Sequence, residues 1–87
     1  MKVKKAVIKA YYNLGEEFIS FPDNPLHGKS YENVNVKFKK ETHKICDTTY
    51  VVDVIEIEGQ EPIECELVGK YTDPNDTLII AICQDWG

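Results

Sequence analysis

Residues 3–21 read VKKAVIKAYYNLGEEFISF, and the conformation of this stretch decides the fold. Val3, Ala6, Val7, Ala10, Tyr11, Leu14 and Phe18 fall on one helical stripe, as the 3.6-residue period requires. The adjacent apolar pairs Val7-Ile8, Tyr11-Tyr12 and Phe18-Ile19, an internal Gly15 and the lack of a side-chain cap near the start speak against a helix. The competing reading is a hairpin turning at Asn13-Leu14-Gly15-Glu16, with Ala10 opposite Ile19 and Ile8 opposite Phe21. The hairpin gives a mainly β protein, a small antiparallel sheet or barrel of six strands. The alternative is α+β, a four-stranded antiparallel sheet covered by one N-terminal helix.

The rest of the chain reads as strand. Val34, Val36 and Phe38 alternate with Asn35, Lys37 and Lys39. Residues 50–58 (YVVDVIEIE) are rich in β-branched side chains, and residues 63–68 (IECELV) alternate cleanly. Residues 78–83 (LIIAIC) are apolar on both sides, as in a strand covered on both faces. The Pro and Asx residues at 73–76 mark a turn, so the last three strands form an antiparallel β-meander. Because Ile55, Ile57, Ile63, Cys65 and Leu67 are all odd-numbered, odd must pair with odd. A three-residue loop, Gly59-Gln60-Glu61, then sets Ile57 against Ile63, Ile55 against Cys65 and Glu56 against Glu64.

Eighty-seven residues make a single domain, 1–87, with a small core. No apolar run is long enough for a secretory signal or a membrane span, and three cysteines without framework spacing fit a reducing compartment. The expectation is a soluble, cytoplasmic protein.

Charge is divided along the chain. Residues 1–44 hold nine Lys and five acids, or +4; residues 45–87 hold one Lys and ten acids, or −9; together these give −5. There is no Arg, the usual fork for phosphate and guanine.

Motifs that would name an activity fail on inspection. Gly28-Lys29-Ser30 resembles the end of a phosphate-binding loop, but Asp23 stands where the first glycine belongs and a strand follows where a helix is needed. His43, Cys46, Cys65 and Cys83 make a nominal zinc set with only one local pair, so Cys65 and Cys83 read as core and His43 and Cys46 as loop. Cys46 beside His43 and Asp47 is too local for a nucleophilic trio, and Glu56 with Glu64 lies on a flat face without a cleft. No cofactor, metal or catalytic residue is expected, and the chain is read as a non-enzyme.

The carboxylates on residues 56–66 carry the functional expectation. Like charges opposed across a sheet are destabilising, so Glu56, Glu58, Glu61, Glu64 and Glu66 in one patch point to a surface that meets a basic partner. The bland reading is a solvated acidic face that discourages edge pairing. On size and charge alone, the role would be that of an inhibitor or adaptor, of the sort phages direct at host proteins, docking on a larger protein, with nucleic-acid mimicry as one mode. A second reading is weak nucleic-acid binding through Lys5, Lys9, Lys37 and Lys39, which the net charge disfavours. A third is a small ligand held in a small barrel. Trp86 is expected either to close the core or to anchor a partner.

Overall fold

A computed structural model of the chain describes residues 1–84. Its elements are all strands: β1 (Lys2–Leu14), β2 (Glu17–Ser20), β3 (Ser30–Ile45), β4 (Thr48–Ile57), β5 (Ile63–Thr72) and β6 (Thr77–Cys83). The hairpin reading of the first twenty residues is the one that holds. No helix among the described residues is long and apolar enough to cross a membrane.

Five strands close a small barrel in the order β1-β3-β4-β5-β6, with β6 returning to β1. Every step from β1 to β6 is antiparallel. An odd number of strands cannot alternate all the way round, so the closing pair must be parallel. It is: Lys5↔Thr77 through Tyr11↔Cys83 run in the same direction. The β4-β5-β6 meander is as expected, whereas β2 lies outside the barrel, which five strands close instead of six. β2 overlaps β6 at Tyr11, and β3 overlaps β6 at residues 5–7, so β2 and β3 follow one another along the same edge of β1.

Between them, residues 21–29 are tied to that edge. Phe21 N–H donates to the Ala10 carbonyl at 2.9 Å, Gly28 N–H to that of Ile8 at 2.8 Å, and Ala10 N–H to His27 Nδ1 at 3.0 Å. Asn24, which is buried, accepts from Leu26 N–H and donates to Gln84. The Gly-Lys-Ser segment is thus a connection, with Gly28 at φ +82° supplying its turn.

Alternation puts one face of every barrel strand inside. The core joins Ala6, Ile8 and Ala10 of β1, Val36 of β3, Ile55 and Ile57 of β4, Ile63 and Cys65 of β5, and Leu78, Ile80 and Ile82 of β6. Each fully buried Ile contributes about 1.5–3 kcal/mol relative to its exposed state. These side chains fill the barrel interior. Ile79 and Cys83, on the other face of β6, are buried as well, as the doubly apolar run predicts.

Two hairpin registers depart from expectation, each by two residues. The first turn is Gly15-Glu16, with Leu14 opposite Glu17 and Tyr12 opposite Ile19. The β4-β5 ladder sets Ile55 against Ile63 and Asp53 against Cys65, with residues 58–62 between the strands. Glu58 explains the longer loop. Its N–H donates to the Asn35 carbonyl and its carboxylate accepts the Asn35 N–H, both at 2.9 Å, so it belongs to the β3 side. Pro62 also lacks the N–H a ladder position requires. A slip of two preserves the face of every side chain, so the core forecast stands while the cross-strand partners change.

Candidate functional site

The new register rearranges the carboxylates. Glu56 does not face Glu64; it faces Lys37 of β3, and its carboxylate lies 3.0 Å from Lys39 Nζ. Glu58 sits at Asn35, 4.0 Å from Lys2 Nζ. Glu64 opposes Val54, Glu66 opposes Cys83, and Glu61 is exposed in the loop. The expected patch thus splits in two. Glu56 and Glu58 have cationic neighbours, while Glu61, Glu64 and Glu66 stand exposed beside β5. The like-charge opposition expected between Glu56 and Glu64 does not arise.

The lysine half is interleaved with acids for the same reason. Lys2, Lys4, Lys39 and Lys40 lie within 4.0 Å of Glu58, Asp76, Glu56 and Asp53 respectively. Lys70 caps the Phe38 ring at 4.0 Å from its centroid. Phe38 is partly buried against the core.

Among the described residues, Asp53 is an acid whose position shares the inner face with Ile55 and Ile57. Its Oδ2 accepts the Leu67 N–H at 2.8 Å and its Oδ1 takes Lys40 Nζ at 2.9 Å. The Leu67 hydrogen bond holds its carboxyl below the usual value of 3.8; burial opposes this, and Lys40 assists. Asp53 also sits in the middle of β4, because that strand begins at Thr48.

That early start exposes what the sequence reading missed. Residues 40–49, taken as a loop around His43 and Cys46, complete a long hairpin whose ladder runs from Val36↔Ile57 to Ile45↔Thr48. The two-residue turn is Cys46-Asp47, with Cys46 at φ +56°. β5 accompanies β4 only over residues 53–55, so the β3-β4 end projects as a two-stranded ribbon from a molecule 43 × 24 × 20 Å in extent. The missed signal was Thr42, Ile45, Thr48 and Thr49, β-branched residues around a tight polar turn.

Ile45, Tyr50 and Val51 are 62, 51 and 62% exposed on this ribbon. A shallow groove beside them is lined by His43, Ile45, Tyr50, Val52 and Glu64. At its rim the ligand atoms of Glu41, His43 and Glu64 lie within 4.8 Å of one another, the grouping among the described residues that could receive a cation. His43 Nε2 lies 3.6 Å from a Glu41 carboxylate oxygen.

The three cysteines form no disulfide and differ in place. Cys46 is exposed at the ribbon turn, and Cys65 and Cys83 are buried. Burial, with the charges of Asp53, Cys83 and Glu66, pushes the Cys65 thiol up to about 12, so it is a neutral core group. His43 thus neighbours two glutamates, not the cysteine set considered from the sequence. Trp86 lies outside the described residues.

The chain is a small closed β-barrel with a projecting β-ribbon. No protein-family model matches it, and no curated protein or solved structure does either.

Proposed function

We propose that this chain is a non-enzymatic protein-binding module that docks on a basic surface of a larger protein, as an inhibitor or adaptor. Its contact region is the end of the β3-β4 ribbon with Glu64 at its groove, while Glu66, two residues further along β5, and Glu61, in the β4-β5 loop, extend the acidic surface. The observation that carries this reading is the exposure of Ile45, Tyr50 and Val51 on a ribbon that adds nothing to the barrel core. Large apolar side chains clustered at one exposed end, rimmed by carboxylates, have the make-up of an interface centre with a charged margin. The charge of −9 on residues 45–87 would speed encounter with a cationic partner and disfavour anionic ones. The lysine-face alternative has less support, because Lys2, Lys39 and Lys40 lie beside carboxylates and Lys37 lies opposite one. A ligand inside the barrel would have to displace Ile8, Ile55, Ile57, Ile80 and Ile82.

The test compares three variants with wild type in nuclease-treated pull-downs from source-cell or host lysate. One replaces Ile45, Tyr50 and Val51 with Ser, one replaces Glu61, Glu64 and Glu66 with Gln, and one replaces Glu56 and Glu58 with Gln. A partner retained by wild type and by the third variant, but lost by the first two, supports the reading. An identical catch from all four proteins would overturn it.

A further inference from the structure

β5 parts from β4 early. Their ladder covers Asp53↔Cys65, Val54↔Glu64 and Ile55↔Ile63, after which β5 pairs with β6 from Glu66↔Cys83 onward. Continuing the β4-β5 register would set Leu67 against Val51, with the Leu67 N–H on the Val51 carbonyl. That N–H is given to Asp53 Oδ2 instead, at 2.8 Å. The Asp53 side chain therefore ends the ladder by taking the donor that would have extended it.

Residues 48–52 are left as an open edge, since among the described residues they pair only with β3. Glu58 donates its N–H to Asn35 in the β3-β4 register, so even-numbered residues of β4 turn their backbone toward β3. Odd-numbered ones turn the other way. Thr49 and Val51 thus present N–H and C=O groups along the edge that β5 vacates. Free edges are usually guarded by charge, proline or a bulge. The opposite edge of the ribbon carries Lys37, Lys39, Lys40 and Lys44, whereas residues 48–52 read TTYVV, with no guard at all.

We propose that this edge is a strand-addition site for an extended segment of a partner protein in which Lys or Arg alternates with apolar residues. The inference rests on the binding role proposed above and specifies its mode. Unpaired backbone groups at alternate positions select an extended backbone. Tyr50 and Val52, in the groove on one face, and Val51 on the other supply apolar contact for a β-branched neighbour. Glu64 and Glu41 at the rim, and Asp47 at the turn, select cationic side chains. A second copy fits less well. Symmetric pairing centred on Tyr50 would place Asp47 of each copy opposite Asp53 of the other, setting acid against acid.

The probe is an acetylated, amidated heptapeptide alternating lysine and valine, titrated into the full chain with amide exchange followed by NMR. One control peptide is N-methylated at alternate amides, and another carries glutamate in place of lysine. At about ten times its Kd, the lysine peptide slows exchange at Thr49 and Val51 about tenfold. The two controls do not, and Val51→Pro, which removes an edge N–H without touching the β3 ladder, abolishes the effect. Equal binding of the N-methylated peptide would overturn strand addition while leaving charge-based docking in place. So would an absence of any response up to about 1 mM; if the ribbon and carboxylate variants also left the pull-down unchanged, the binding role itself would fall. Protection of Thr49 and Val51 that grows with protein concentration without peptide would overturn the proposal in favour of a second copy.

Discussion

Replacing Asp53 with alanine tests whether a single carboxylate holds β5 in its departure from β4. The side chain is only 19% exposed and makes two contacts, to Leu67 N–H at 2.8 Å and to Lys40 Nζ at 2.9 Å. A hydrogen bond to a charged group contributes about 1.5–3 kcal/mol. The Lys40 pair adds between about 0 and 1 kcal/mol, because Lys40 is 73% exposed and its charge is screened. Asp53→Ala should therefore cost about 2–3 kcal/mol, a fall in Tm of about 10–20 °C for a chain of this size. Asp53→Asn keeps an acceptor and should cost about 1 kcal/mol, and Lys40→Gln less than about 1 kcal/mol. Because folding lowers this carboxyl below 3.8, its contribution is fully present above the unfolded value and is lost as pH falls through the lower folded value. Urea unfolding of wild type and Asp53→Asn should then converge in acid, below about pH 4. An alanine variant within about 0.5 kcal/mol of wild type, or a Lys40 variant carrying the whole loss, would refute the reasoning.

Other perturbations have equally definite outcomes. Iodoacetamide at neutral pH should label the native protein once, at Cys46, with Cys65 and Cys83 reacting only after unfolding; this is read by mass spectrometry. Cys46→Gly relieves the left-handed backbone at φ +56° and should raise stability by about 0.5 kcal/mol in denaturant melts. His27→Leu leaves the Ala10 N–H without its acceptor and should cost about 1–3 kcal/mol by the same assay. Ile8→Val, at a fully buried core position, should cost about 0.5–1.5 kcal/mol.

The period of two in the sequence was enough to place Val36, Ile55 and Ile63 on the inner face, because alternation is a local property of the extended chain. It also gave the β-meander and the polarity of Glu64 and Glu66. It could not give the register, since a slip of two leaves every face unchanged. The Glu56–Glu64 opposition was lost to that ambiguity, and Lys37 and Lys39 took their place beside Glu56. The ribbon was illegible for a different reason. Residues 40–49 beyond the barrel are exposed apart from the half-buried His43, so no core imposes the alternation by which strands are recognised. Asp53 shares the parity of Ile55 and Ile57, yet its role is not legible in the sequence, because its partner, Leu67 N–H, is a backbone group fourteen residues away. The sequence by itself determined the strands over residues 34–39, 50–58, 63–68 and 78–83 and the division of charge, all of which follow from near neighbours. Barrel closure by a parallel β1-β6 pair, the pairing of Glu56 and Glu58 with lysines, and the open edge of β4 were decided only when distant strands met.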